Sequence, residues 1–405
     1  MLCETPSLSR RRLLGLSGSL VASAFIPHFA SSAGARDPRF IAIILRGAMD
    51  GLSAVAPLGD PDYAGLHGDL ALTSSGDVAG LKLDSFFSLN PAMTNFFRLF
   101  GKGQGAVIHA TATGYRDRSH FDGQDVLESG YAGPGRTDSG WLNRAIAALP
   151  QGQMISPRSS LAVGSVAPLV IRGQAQTLGW APANTPTPGD DLSRRLLDLY
   201  AHTDPLLGDL LRAGLDTQKL ASGAMESMNK QDKPGDMVLA ARGAAHIMAA
   251  NDGPRIAALA FDGWDTHENE GGAKGRLFNL LTGLDGALAE FEQGLGESWN
   301  QTAIVVMTEF GRTAAINGTE GTDHGTGTVA FLAGGAIKGG RVIADWPGLK
   351  ASALYQGRDL NPTTDLRSVL KGLLGDHLGL GQQVLSSQVF PDSASARPVL
   401  GLISA

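Results

Sequence analysis

The chain has 405 residues, with 33 Lys and Arg against 39 Asp and Glu and a formal net charge of −6. That balance leaves no basic footprint, which excludes nucleic acid as a partner. The single cysteine is Cys3, so everything downstream lacks a disulfide, a thiolate zinc site and a cysteine nucleophile, and any metal must be held by carboxylates and imidazoles.

The first element in chain order is an export signal. Ser9-Arg10-Arg11-Arg12-Leu13-Leu14 opens an apolar stretch, Leu13 to Phe29, that runs into small residues and Ser31-x-Ala33. A basic start, a short apolar middle and a small-residue cleavage site form a removable signal, and the interruptions at Gly15, Ser17 and Gly18 suit the twin-arginine route. A membrane anchor is the alternative, but a bilayer core requires ~20 mainly apolar residues. This reading assigns residues 1–35 to a twin-arginine signal peptide and 36–405 to one α/β domain. It makes the protein periplasmic or secreted, with the twin-arginine translocase as its partner in transit. That route carries folded cargo, often already loaded with a cofactor or metal.

Beyond the signal, short β-branched runs alternate with amphipathic stretches, the pattern of a mostly parallel sheet flanked by helices. Strands are expected at Phe40 to Leu45, Ala106 to Thr111, Leu161 to Ile171, Ile256 to Phe261, Thr302 to Thr308 and Val329 to Ala333. Helices are expected at Pro91 to Phe100, Leu192 to Leu211, Met237 to Ala250, Leu277 to Leu295 and Leu366 to Leu378. Gly173 to Asp190 reads as a surface loop, and Met225 to Asp236 as a polar one.

Polar clusters follow these strands at the carboxyl edge, where α/β sheets place ligands. Asp50, after the first strand, is either a helix N-cap or a ligand. Ser119 and His120 stand where a helix begins, so Ser119 either caps that helix or, with Arg118, meets a bound anion. Asp265 and His267 alternate by two, so in an extended segment both side chains point the same way. A carboxylate and an imidazole aimed at one point make half of a transition-metal site. Glu309 and Arg312 follow the most apolar strand, and Asp323 and His324 precede the last. Together Asp50, Asp265, His267, Glu309, Asp323 and His324 converge at the strand ends of one sheet, and this points to metal binding.

The segments LRGAMDGLSAVAPLGDPDY, SHFDGQDVLESG, GWDTHENE, TEFGRT and GTDHGTGTVAFLAGGAIKGG, in this order behind a twin-arginine signal, resemble the family called domain of unknown function 1501. The resemblance spans about Phe40 to Leu380 and implies an α/β fold like that of alkaline phosphatases and sulfatases. Laid over that superfamily, Asp50 matches the acid after the first strand and Ser119 the nucleophile, with His120 as its rival. Asp265, His267 and His324 match metal ligands, while Phe310 stands where the pattern has a histidine. The resemblance thus implies zinc at Asp265, His267 and His324, with an open position for water or substrate. It leaves an oxygen-only site at Asp50 and Glu309, suited to Mg²⁺, Ca²⁺ or Mn²⁺, with Arg118 and Arg312 as anion clamps. The function expected is an exported, metal-dependent hydrolase of phosphate or sulfate esters acting on an anionic small molecule or polymer. The alternatives are a non-catalytic metal- or ligand-binding protein, or an assembly factor for another exported protein.

Overall fold

The computed structural model describes residues 37–150, 160–182, 190–226 and 236–404. The expected signal at 1–35 lies outside them, as do 183–189 of the first expected loop and 227–235 of the second.

The aliphatic runs form the centre of a nine-stranded sheet. Its strands include β1 (Arg39–Leu45), β2 (Gly105–Ala112), β3 (Ser160–Val163), β4 (Leu178–Trp180), β5 (Ile256–Phe261), β6 (Thr302–Thr308), β7 (Thr328–Ala333) and β8 (Arg341–Ile343). Their order is β8-β2-β7-β6-β1-β5-β3-β4, and Thr364–Asp365 also pairs with β2. All neighbours are parallel except β7, which runs antiparallel to both β6 and β2.

Central strands are buried on both faces, and the period of two assigns each side chain to one face. In β1, Ile41, Ile43 and Leu45 enter one core with Phe96, Leu99 and Phe100 of α2 (Thr94–Gly101), Ile247 of α5 (Asp236–Ala249) and Leu284, Leu288 and Phe291 of α6 (Arg276–Leu295). Phe40, Ala42 and Ile44 enter the opposite core with Leu142 and Ile146 of α4 (Trp141–Ala148) and Val369, Leu370 and Leu373 of α7 (Leu366–Leu378). Each such aliphatic side chain contributes roughly 1.5–3 kcal/mol by burial. Two helices sit at the sheet edge that carries the polar clusters: α1 (Gly51–Ala54) after β1, and α3 (His120–Ser129) after β2.

Three expectations change, the first being the surface loop expected over Gly173 to Asp190, which carries the edge strand β4 with Trp180 buried. The strand expected over Leu161 to Ile171 stops at Val163 because Gly164 turns with φ +137°, and Leu169–Ile171 is a short 3-10 turn. The helix expected over Leu192 to Leu211 is two helices, Asp190–Thr203 and Pro205–Glu226. Proline lacks an N–H and disfavours helical geometry before it, yet suits a first turn. Asp204 accepts from Leu207 N at 3.1 Å and so caps the second helix.

Candidate metal centre

Parallel β6, β1 and β5 lie side by side, so the loops that leave their carboxyl ends meet. Glycine lets them meet backbone to backbone. At Gly47, with φ +123°, a Cβ would lie 2.3 Å from Asp265 N; at Gly325 it would lie 2.3 Å from the Arg312 carbonyl oxygen. Close backbone packing therefore accounts for Gly47 and Gly325.

This packing gathers His120 from the start of α3, Asp265 and His267 from the loop after β5, and His324 from the loop before β7. His267 Nε2 lies 3.0 Å from Asp265 Oδ1 and 2.9 Å from His324 Nε2. His324 Nε2 is 3.3 Å from Asp265 Oδ1, and His120 Nε2 is 3.4 Å from Asp265 Oδ2. One ligand atom each from His120, Asp265 and His324 all fall within 4.8 Å of one another. The side chains of His267 and Asp265 are 40% and 41% exposed, so the cluster opens to solvent on their side.

Each ring is held from behind. His120 Nδ1 donates to Glu309 at 2.8 Å, His324 Nδ1 donates to the Arg118 carbonyl at 3.0 Å, and His267 Nδ1 faces Asp323 Oδ1 at 3.3 Å. Arg118 offers that carbonyl from a left-handed backbone, φ +60°, a conformation that L-residues hold only when their surroundings enforce it. With the outer nitrogens occupied as donors, the inner Nε2 atoms carry lone pairs. The 2.9 Å contact between the His267 and His324 Nε2 atoms, beside a carboxylate, is met either by a proton on one of them or by a cation bound to both. His120 Nε2 is buried and makes no hydrogen bond, and such an atom is costly without a partner. Histidine ligands oriented by carboxylate and carbonyl acceptors are the arrangement of a transition-metal site. The residues fit a metal.

The electrostatics differ between the rings, and at His120 they favour the protonated form, which does not ligate. The Glu309 hydrogen bond, against the opposition of burial, raises the His120 pKa, with Glu309 and Asp265 charges adding to it. Burial, then the nearby His120 charge, lowers that of His324 and favours the neutral form that ligates. Burial opposes the charge of Asp265, but Arg312 overrides it and holds this carboxyl below its usual range.

Several expected site residues have other partners. Asp50 is an N-cap: its carboxylate accepts from Leu52 N at 2.9 Å and Ser53 N at 3.1 Å and pairs with buried His67 at 3.0 Å. Burial works against its charge, yet His67, Ser53 and Leu52 bring the carboxyl down to about 2. Glu309 accepts from Gly47 N at 2.9 Å, Thr308 Oγ1 at 2.9 Å, Gln124 at 3.2 Å and His120. The oxygen-only site expected at Asp50 and Glu309 is not assembled in the structure: each carboxylate is taken up by its own protein partners. Asp323 does not face the centre; it backs His267 and accepts from Asn317 at 3.2 Å. Arg118 donates to Asp359 Oδ2 at 2.9 and 2.7 Å and to Gln356 at 2.7 Å. Arg312, with a fully buried side chain, donates to Asp265 Oδ1 at 2.7 Å and to the Thr322 hydroxyl and carbonyl at 3.1 and 2.8 Å. Neither guanidinium is positioned as an anion clamp. Ser119 starts α3 without a side-chain cap bond; its hydroxyl lies beside the Tyr115 phenol instead.

Phe310 stacks on His120, with centroids 5.1 Å apart and an interplanar angle of 26°. It buttresses the histidine from the position where the superfamily pattern has a ligand. The sequence reading missed His67, Glu270, Asn317 and Arg358; the last is half-exposed and donates to the His324 carbonyl. No motif marks His67, whereas Glu270 stands within the GWDTHENE segment itself.

Residues 37–389 match the family model "Protein of unknown function (DUF1501)", and the chain belongs to that family. No curated protein sequence matches it. Among solved structures, it is similar to Ps i-CgsB in complex with k-i-k-neocarrahexaose, at 11% identity and TM-score 0.43, over 89% of this chain and 77% of that one. It is also similar to an alkaline phosphatase superfamily protein from Vibrio parahaemolyticus, at 12% identity and TM-score 0.35, over 84% and 72%. A third is the phosphonate monoester hydrolase of Agrobacterium radiobacter, at 12% identity and TM-score 0.31, over 85% and 74%. All three likenesses are distant, and what those proteins act on stays with them.

Proposed function

We propose that this protein is an exported, zinc-dependent hydrolase of phosphate or sulfate esters, with His120, Asp265, His267 and His324 as the metal-binding set. The observation that carries this reading is the buried His120 Nε2, which makes no hydrogen bond and faces Asp265 Oδ2 at 3.4 Å within reach of His324. Imidazoles with one carboxylate suit zinc better than Mg²⁺ or Ca²⁺. Zinc bound there would polarise an ester oxygen and stabilise charge developing in the transition state. The half-exposed side of the cluster is the substrate's way in. Ser119, whose hydroxyl its helix does not use, is the nucleophile: its oxygen bonds to phosphorus or sulfur, its proton leaves with the departing alcohol, and water then restores the hydroxyl and releases the anion. Export by the twin-arginine route, after folding around the metal, belongs to the same proposal.

A second reading is a metal-binding protein without catalysis. It is favoured by the engagement of Asp50, Glu309, Arg118 and Arg312, which leaves one metal position among the described residues. Zinc content and hydrolysis of aryl phosphate and aryl sulfate esters, measured on the same folded sample, separate the two. About one zinc per chain, with turnover lost on chelation and regained on zinc addition, supports the hydrolase. Full zinc loading without turnover on any ester supports the binding protein.

A further inference from the structure

Arg312, which holds the ligand Asp265, is itself held by a buried chain. Its Nε donates to Thr322 Oγ1 at 3.1 Å, and Thr322 Oγ1 donates to Glu270 Oε2 at 2.6 Å. Glu270 is fully buried and Asp50 is 1% exposed, and their carboxyl groups lie within hydrogen-bonding reach of each other. Glu270 Oε1 receives no hydrogen bond.

Two adjoining buried carboxyls cannot both stay ionised without a cation dedicated to each. His67 serves Asp50 and Arg312 serves Asp265, while Thr322 is neutral. One of the two acids therefore carries a proton, and hydrogen-bond direction says which. Asp50 accepts from two backbone N–H groups and from His67, which requires a carboxylate. Glu270 accepts on Oε2 alone, and an Oε1 without a donor is where a hydroxyl belongs. Every bond in the chain then points one way: Arg312 donates to Thr322, Thr322 to Glu270, and Glu270 to Asp50. We propose that Glu270 is a positioning residue for the metal ligand Asp265, acting through Thr322 and Arg312 as a neutral carboxylic acid whose proton is shared with Asp50. Burial first, and the Asp50 charge second, push the Glu270 pKa well above the ordinary glutamate range, in keeping with that assignment.

The link to Asp265 rests on the metal-binding reading, whereas the proton on Glu270 does not. Glutamine matches a protonated glutamate in shape and in having one donor and one acceptor side. Zinc dissociation constants from chelator competition on folded full-length protein are therefore expected to stay within about twofold of wild type for Glu270→Gln, and to weaken roughly tenfold for Glu270→Ala and Thr322→Val. Infrared spectra should show a carboxylic-acid carbonyl band in wild type that Glu270→Gln removes. A glutamine variant as weak as the alanine one would overturn the neutral acid, as would a wild-type spectrum without that band. Unchanged affinity in both Glu270→Ala and Thr322→Val would overturn the positioning role; if Glu270→Ala does not fold, Thr322→Val decides it. A second metal ion in wild type that Glu270→Gln loses would put a cation where the proton is proposed. Wild-type protein that binds no zinc defeats the metal reading and with it the link to Asp265, and the infrared band still decides the proton.

Discussion

Around Asp265, three imidazoles turn Nε2 toward one carboxylate, and a buried ring nitrogen lacks a partner. Around Asp50, one imidazole and two backbone amides donate to the carboxylate, Glu270 adjoins it, and both members of the Asp50–His67 pair are sealed from solvent. The residue types are the same and both clusters stand at the same sheet edge. What separates a site from a structural pin is whether the donors satisfy one another. The first cluster has ligand atoms placed where they could hold a metal ion, and the carboxylate of the second is engaged within the protein.

The sharpest way to break that contrast is to remove a ligand. His120→Ala and Asp265→Ala should each weaken zinc binding more than about 100-fold, beyond what outer-shell changes do. Stabilisation by zinc, about 2.7 kcal/mol at a concentration one hundred times Kd, should vanish from thermal melts of both variants. If either melts with the wild-type zinc response, the cluster is not the site.

Asp50→Asn should instead cost about 3 kcal/mol of stability, the lower end for breaking a buried pair because His67 can discharge, and change zinc affinity by less than about threefold. Its pH signature follows from the signs. The Asp50 carboxyl is held at about 2 against an ordinary 3.8, so its contribution is present above pH 3.8 and lost as the pH falls toward 2. Burial opposes the His67 cation but Asp50 raises its pKa above 6.5, so its contribution is full below 6.5 and lost as the pH rises through the raised value. Urea midpoints of wild type and variant should therefore converge in acid. A gap that stays constant to pH 2 would mean that the pair is not what the variant removed.

Glu309→Gln tests the boundary between the two kinds of cluster, because Glu309 is as buried as Asp50 but serves a ligand. Zinc affinity should fall roughly 10- to 100-fold, with the fold retained in circular dichroism. The smallest effect on stability belongs to Ser119→Ala: with no cap bond to lose, it should cost less than about 0.5 kcal/mol, against the ~1 kcal/mol typical of a functioning cap. Ester hydrolysis, corrected for folded protein, should nevertheless disappear. Surviving turnover would remove Ser119 as nucleophile.

Much of the frame was legible because local chemistry decides it. β1, β5 and β6 are aliphatic runs bounded by polar loops, and the expected spans agree with the observed ones to within a residue. Asp265, His267 and His324 were singled out as candidates by the two-residue spacing of the first pair and the glycine beside the last, and the structure brings their side chains together. The rest depends on distant contacts. Asp50 reads equally well as cap or ligand until His67, 17 positions on and in no motif, closes on it. Arg118 reads as an anion clamp until Asp359, 241 positions away, takes its guanidinium. Helix α4 escaped notice because eight residues behind a glycine- and proline-rich turn carry too little periodicity to stand out.

The inverted strand β7 has a consequence in time. It delivers His324 to a site whose other members come from much earlier in the chain; the hydrogen bond from His324 to Arg118 alone spans 206 positions. His324 can join the others only once the sheet has accepted its antiparallel member, so the cluster is completed late. Loop closure over such distances is slow relative to local structure, so the assembled cluster itself distinguishes completed chains from incomplete ones.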